Sequence, residues 1–461
     1  MSTPRKVAVL DIGKTNAKVV VVDCMTGAEV AERRTPNLVL SGPPYPRYDI
    51  EALWTFALGA LATFAENPGF DAISITTHGA SAVVLDAAGN LALPAVDYEH
   101  QYPDDIQEAY ASLRPAFSET FSPALPGGLN VGAQLHYQKS RFPKQFAHVR
   151  TIMTYPQYWA FRLTGIAANE VTSLGCHTDL WRPREGTYSS LVDTLGIRTL
   201  MPPLRSAFDA LGPVLPGVAQ KIGLTRSTPV YCGIHDSNAS LLPHLIGREP
   251  PFTVISTGTW VVNFAVGGDL DHLDPKRDAL ANVDAYGRAV PSSRFMGGRE
   301  FELLAAELGD LDPEAALAAI PQAIEKRIML LPNLAAGSGP FPGRQRQWIN
   351  DGGAATAERW AAACLYLALM TETCLGLIGA KGPVLVEGPF SSNPAYLKAL
   401  QSLLGRNVLA IGGTTGTSHG AALAAGAPLI AHESVRQPWG TIEGIANYRA
   451  DWHRRITASP I

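Results

Sequence analysis

The chain has 461 residues, 37 Lys+Arg against 41 Asp+Glu, and a formal net charge of −4. With 46% hydrophobic and 17% charged residues, wholesale disorder is excluded. The slightly acidic balance argues against nucleic-acid or membrane partners, which call for a basic face. The length allows two or three domains. No apolar run reaches the ~18–20 residues of a membrane span. The longest in the tail, near Ala421 to Ala431, is broken by Gly and Pro. The N-terminus enters a strand-like run without the apolar stretch of a secretory signal. The five cysteines are scattered and show no C-x-x-C spacing, which argues against a disulfide framework or a structural zinc site. A reduced, cytoplasmic protein is expected.

Val7 to Asp11 reads as a buried strand, IGKTN as a turn, Ala17 to Asp23 as a second strand and VAERR as a third. Strand, glycine turn, strand is a hairpin pattern; a P-loop would have a helix after the turn. The GKT of Gly13, Lys14 and Thr15 is therefore no Walker A motif, whose first glycine would fall on Ala8. A helix (IEALWTFALGALATFAEN) and two strands (DAISITTHGA, AVVLD) follow. GGLNVGAQLHYQKSRF and TYPQYWAFRLTG read as helical, the second ending at Gly165. PVYCGIHDSNASLLPHLIG reads as strand, turn, helix, and PFTVISTGTWVVNFAV repeats the N-terminal hairpin pattern. The repeat predicts two related halves with a boundary in the loop near Ile246 to Pro251, giving domains 1–246 and 247–461. The second half continues with a long helix (TAERWAAACLYLALMTETCLGLIG), a strand (PVLVEG), a helix (NPAYLKALQSLLG), a strand (VLAIG) and a last helix (SHGAALAAG). This alternation implies α/β layers.

Five constellations could carry chemistry. In Asp11-Ile-Gly13-Lys14-Thr15-Asn16-Ala-Lys18, a tight turn exposes backbone N–H groups, and Thr15, Asn16, Lys14 and Lys18 add donors and charge. That suits phosphate, with Asp11 placed to hold magnesium through water; a plain hairpin turn is the alternative. Thr257-Gly258-Thr259 between two strands repeats the pattern, and two such loops could hold one polyphosphate from both sides. In Gly233-Ile-His235-Asp236-Ser237, Asp236 is either a helix cap or a general base for a sugar hydroxyl. Gly388-Pro389-Phe390-Ser391-Ser392-Asn393 could pass close to a flat ligand such as adenine, or could simply start a helix with Asn393 as its cap. Gly416-Thr-Ser418-His-Gly420 matches the nucleophile elbow, but too little chain follows to supply the partners of a hydrolase. Its glycines are read instead as room for a nucleotide or a neighbouring strand. His78, the Asp97-Tyr-Glu99-His100 group, Tyr158 and the Cys176-His177-Thr178-Asp179 stretch could line a pocket for a polyhydroxylated ligand, although each could also be structural. Histidine spacing shows no metal pattern.

VAVLDIGKTNAK, GIHDSNA, STGTW, LLPNLAAGSGPFPG, VLVEGPFSSNPAYLKALQSLLG and TTGTSHGAALAAG, in this order, resemble the FGGY carbohydrate kinases over essentially the whole chain. The resemblance implies an α/β fold of two RNase H-like domains of the actin/hexokinase ATPase type with a central cleft. It implies ATP and Mg²⁺ as cofactors and a small sugar as substrate, and leaves a homodimer open. Carried over, Asp11 and the Lys14 to Lys18 turn form the first phosphate loop, Thr257 to Thr259 the second, and Asp236 the catalytic base. Gly388 to Asn393 would hold the adenosine. His78, Asp97, Glu99, His100, Tyr158, His177, Thr178 and His235 would face the sugar. TTHGASAVVLD, DYEH, TYPQYWAFRLTG and NEVTSLGCHTDLW most resemble a bacterial subgroup of rhamnose catabolism, which implies L-rhamnulose; L-fuculose, xylulose or erythrulose are alternatives, and an actin-like ATPase a remote one. The family's tryptophan-aspartate sugar motif is replaced around Asp97 to His100.

Overall fold

Lys6–Ile12 and Asn16–Asp23 form the N-terminal hairpin, and Glu29–Pro36 adds a third antiparallel strand. The computed structural model describes residues 3–335, 337–412, 416–430, 434–435 and 439–458. On its other side Lys6–Ile12 pairs in parallel with Ala72–Thr77, and that strand pairs in parallel with Pro229–Tyr231 and Ile234–His235. Ala210–Pro213 completes the sheet, antiparallel to Pro229–Tyr231. The inner strands Lys6–Ile12 and Ala72–Thr77 are buried at almost every position because both faces are covered. Leu10, Val19, Ile73 and Ile75 pack with Leu61 of the helix Ile50–Glu66 and with Tyr155 and Trp159 of the helix Tyr155–Thr164. Val7 and Val9, which alternate with Ala8 and Leu10, are equally buried.

A second sheet repeats this plan. Phe252–Thr257 and Val261–Val266 form the hairpin, and Ala289–Phe295 is antiparallel to the second of them. Phe252–Thr257 pairs in parallel with Val384–Glu387, which pairs in parallel with Val408–Ile411. Ala279–Val283 and Ser434–Val435 lie at its edges. The shared strand order accounts for the repeated hairpin pattern in the sequence.

The helix Thr356–Leu377 forms the heart of the second core, with Trp360 and Tyr366 buried beside Tyr396 and Trp452. At 22 residues it is long and apolar enough to cross a membrane, but 78% of its apolar window is buried within the fold.

The chain divides into two compact units, one of Met1–Arg248 with Ala281–Ala289 and Thr415–Ala431, the other of Glu249–Leu280, Val290–Thr414 and His432–Ile461. Two segments from late in the chain thus belong with the first unit. The helix Thr417–Ala424 packs against the helix Asp236–Leu245 within it, and a Cβ on Gly420 would lie 1.7 Å from the Ala239 carbonyl oxygen. The glycine makes room for a helix rather than for a strand or a nucleotide. Ser418 is fully buried, which is incompatible with an exposed nucleophile. Thr414 and Thr415 of the same motif lie outside the described residues. Each unit has the α/β arrangement of the actin/hexokinase-type ATPase domains.

Candidate active site

In open α/β sheets, ligands bind beyond the carboxyl ends of the parallel strands. In the first unit three such ends converge. Ile12 leads into the Gly13–Asn16 turn, Thr77 into His78, and Ile234–His235 into Asp236. His78 N–H donates to the Ile12 carbonyl at 2.9 Å, tying two of the ends together.

Asp236 opens the helix Asp236–Leu245, whose N-terminus favours negative charge. Its Oδ1 accepts from Ser237 N–H at 2.6 Å and from Ser237 Oγ at 3.2 Å, and lies 3.1 Å from His235 Nε2. Oδ2 accepts no hydrogen bond among the described residues. Burial raises the Asp236 pKa above the usual carboxylate range; His78 and the Ser237 bonds pull it back. The side chain is still 28% exposed, so the carboxylate is reachable. His235 is buried, with its Nδ1 3.2 Å from Asn238 Nδ2, and burial pushes its pKa down to about 4.

Asp11 faces Lys18 directly across the hairpin, and Lys18 Nζ is 3.8 Å from Asp11 Oδ2. Thr417 Oγ1 donates to the same oxygen at 2.5 Å. Burial pushes the Asp11 pKa up to about 6 against the lowering effects of Thr417 and Lys18; Asp236 and Glu29 push it further up. Magnesium keeps most of its waters and takes one or two carboxylates alongside phosphate oxygens. An incompletely neutralised, buried carboxyl at a strand end fits that part. Among the described residues no group of three or more His, Cys, Asp or Glu converges on a metal position, so Asp11 would serve with water and phosphate. In the turn itself Thr15 and Asn16 are exposed and hydrogen bonded to each other at 3.1 Å, and Gly13 N–H donates to Asn16 O.

Lys14 does not stand out from this turn as a free cation. Its amine contacts Asp97 Oδ1, lies 3.4 Å from Glu99 Oε2, and sits 5.2 and 4.8 Å from the ring centres of Tyr48 and Tyr98. The His78 ring packs against Tyr48, Tyr98 and Tyr155, with Nδ1 2.8 Å from the Gly79 carbonyl. Its Nε2 is buried and takes no hydrogen bond among the described residues. Burial lowers the His78 pKa to about 4, so at neutral pH the ring is uncharged. Lys14, His78, Asp97, Glu99 and Asp236 are therefore neighbours in one electrostatic environment.

Other predicted pocket residues face elsewhere. Tyr158 is buried against Trp159 and accepts from Arg162; Tyr155, one helical turn earlier, is the residue that touches His78. The His100 ring packs among Tyr45, Tyr102 and Tyr137. His177, with φ of 40°, has its Nδ1 2.8 Å from the Leu129 carbonyl, and Thr178 bonds the Leu174 carbonyl. These last two shape a loop.

In the second unit, the buried Thr257 hydroxyl donates to Glu387 O at 2.5 Å and accepts from Phe390 N–H at 3.0 Å. It holds the Thr257–Thr259 turn beside the Gly388–Asn393 segment. Gly388 has φ of 78°, and a Cβ there would lie 2.0 Å from Thr257 O, so no other residue fits. Pro389 starts a short 3₁₀ turn, and Ser391 Oγ bonds the Gly388 carbonyl at 2.7 Å. Asn393 is buried, caps the next helix at Tyr396 N–H and bonds Cys364, so its side chain serves the fold. Gly258 and Thr259 are exposed. The sequence reading missed Gly298, where a Cβ would lie 1.9 Å from Gly258 O; the GG pair opening the helix Gly297–Leu308 was its signal. It also missed Tyr48, and it assigned no role to Thr417, Tyr98 or Asn238, although each lies inside a motif it singled out.

The model of the FGGY family of carbohydrate kinases, N-terminal domain, matches residues 7–243, and that of Carbohydrate kinase FGGY, C-terminal domain, matches residues 249–434. A carbohydrate kinase from Novosphingobium aromaticivorans of known structure is similar, with a TM-score of 0.90, 36% identity and 100% of both chains covered. L-fuculokinase of Salmonella typhi is 23% identical over 58% of this chain and 57% of its own length. Rhamnulokinase of Halalkalibacterium halodurans is 21% identical over 54% of each. The matches thus span little more than half the length of these curated relatives. With both family domains matched in order along the chain, this protein belongs to the FGGY family of carbohydrate kinases.

Proposed function

We propose that this chain transfers the γ-phosphoryl group of ATP to a hydroxyl of a ketose, with Asp236 as general base. The observation that carries this reading is the Asp236 carboxylate, with Oδ1 anchored by Ser237 and 3.1 Å from His235 Nε2, and Oδ2 accepting no hydrogen bond among the described residues. A carboxylate held this way can take the proton of an attacking hydroxyl without turning away. The sugar lies against His78, Asp97, Glu99 and Lys14. Within the first unit the turn of Gly13, Thr15, Asn16 and Lys18 suits phosphate, and within the second Gly258, Thr259 and Gly388 to Ser391 suit a nucleotide. Magnesium bound with ATP neutralises charge on the transferring group, with Asp11 as its protein contact. The rest of catalysis is positioning.

The substrate reading is L-rhamnulose first and L-fuculose next. It rests on the resemblance to rhamnose-catabolic kinases and on the names of the two curated relatives. ADP release across a panel of L-rhamnulose, L-fuculose, D-xylulose, erythrulose and glycerol tests it. L-rhamnulose should raise release at least about tenfold over the water background, or ~1.4 kcal/mol of barrier. Equal release with and without every sugar would instead favour an actin-like ATPase.

A further inference from the structure

We propose that His235 and Asn238 form a positioning pair that fixes which oxygen of Asp236 is presented for proton transfer; this rests on Asp236 being the base. The His235 ring bridges Asn238 Nδ2, 3.2 Å from its Nδ1, and Asp236 Oδ1, 3.1 Å from its Nε2. An amide N–H can only donate, so Nδ1 accepts and the single proton of a neutral imidazole sits on Nε2, the ring atom 3.1 Å from Asp236 Oδ1. The opposite amide orientation would set the Nε2 lone pair against the carboxylate. Burial keeps the imidazole neutral, with its pKa near 4. Both ring nitrogens are engaged and the residue is 4% exposed, so it acts through Asp236 rather than on the sugar.

The surroundings hold the ring in place. A Cβ at Gly79 would lie 2.7 Å from His235 Nε2, so the glycine leaves the ring its space. His235 N–H donates to Thr172 Oγ1 at 3.1 Å, and that hydroxyl donates to the buried Glu170 at 2.5 Å. Cys176 Sγ lies 3.7 Å from Nε2 on another side. The need for such a device follows from the aspartate side chain, whose terminal torsion is broad and nearly two-fold. Ser237 bonds Oδ1 from within the same helix turn; the imidazole adds a donor from the preceding strand, and together they stop the two oxygens from exchanging.

The test uses the full chain and ADP release with ATP and the fastest ketose of the panel above, reading kcat and each KM separately in His235→Leu, His235→Gln, Asn238→Asp and Asp236→Asn. His235→Leu should lower kcat about tenfold or more with both KM values within about threefold, and His235→Gln, whose amide N–H can replace Nε2–H, should regain most of the loss. A merely structural role would not favour Gln over Leu at a buried position. Asn238→Asp would accept a proton from Nδ1 and turn the Nε2 lone pair toward Asp236, again lowering kcat about tenfold. Wild-type kcat in His235→Leu, equal losses in Leu and Gln, or, should His235→Leu fail to fold, wild-type kcat in Asn238→Asp overturns the pair. If Asp236→Asn loses turnover while those variants keep it, only the positioning role falls; if Asp236→Asn keeps turnover, the base assignment falls and the pair with it.

Discussion

Thr417 Oγ1 donates a 2.5 Å hydrogen bond to Asp11 Oδ2, joining residues 406 positions apart in the chain. It is the largest effect opposing the burial that drives the Asp11 pKa up to about 6. Thr417→Val should therefore raise that pKa further and protonate Asp11 at a higher pH. A hydrogen bond to a charged group is worth about 1.5–3 kcal/mol, so kcat/KM for ATP should fall on the order of tenfold or more. The defect should be larger at pH 6.5 than at pH 8, where Asp11 is ionised in both proteins. Steady-state kinetics with ATP varied at the two pH values checks this; an equal loss at both would count against the role of charge.

Asp236→Asn keeps the shape of the side chain but removes its basicity. Turnover should drop by about 10²–10⁴-fold, the usual range for a positioned general base. Calorimetric binding of the sugar should persist, because Lys14, His78 and Asp97 still shape the pocket.

The placement of Lys14 against Asp97, Glu99, Tyr48 and Tyr98 ties a residue of the first turn to the candidate sugar pocket. Lys14→Met should raise KM for the ketose about tenfold while changing KM for ATP less than about threefold, since it leaves Asp97 unpaired in a partly buried site. A larger change in KM for ATP would assign Lys14 to the phosphates after all.

Gly388→Ala puts a Cβ 2.0 Å from Thr257 O at a backbone with φ of 78°. The strain, on the order of 1–3 kcal/mol, should lower the melting temperature and separate the Thr257 turn from the Gly388 segment. KM for ATP should rise, and KM for the ketose should not.

Glu170 is fully buried, and burial pushes its pKa up to about 7 from the ordinary 4.5 despite its bonds to Thr172. The folded protein therefore binds a proton more tightly than the unfolded chain. Its contribution is fully present below pH 4.5 and is lost as pH rises through about 7, a swing on the order of 3 kcal/mol. Glu170→Gln has no such proton to lose and should lose less stability between pH 5 and pH 7.5. Glu300 in the second unit, also pushed up to about 7, keeps its own share. Urea denaturation at the two pH values measures the difference; an unchanged slope would mean Glu170 does not titrate there.

Local patterns were legible where the chemistry is local. β-branched runs broken by a glycine turn announce a hairpin, and the hairpin at Asp11 to Lys18 formed as read. Gly165 stops its helix in the left-handed conformation, as a C-cap glycine does. Asp236 sits where the strand–turn–helix pattern put it. Side-chain direction was less accessible. Tyr158 and Tyr155 lie on one helix, and only packing decides that Tyr155 meets His78 while Tyr158 meets Arg162. Asn393 read equally as a ligand contact or a cap, and its bond to Tyr396 N–H decided for the cap. Thr417 was invisible because its partner is so distant: no periodicity links a helix start late in the chain to the first strand.

That distance also sets the order of manufacture. The helix Thr417–Ala424 is a structural member of the first unit, yet it is translated after most of the second. Until it emerges, the flank of Asp236–Leu245 around Ala239 is bare and Asp11 has no hydroxyl to hold it. The nascent first half must wait, unsealed, while the ribosome makes most of the other, and a gene fragment stopping at Arg248 encodes a body with an open flank. The half whose synthesis begins first is completed only after most of the other has been made.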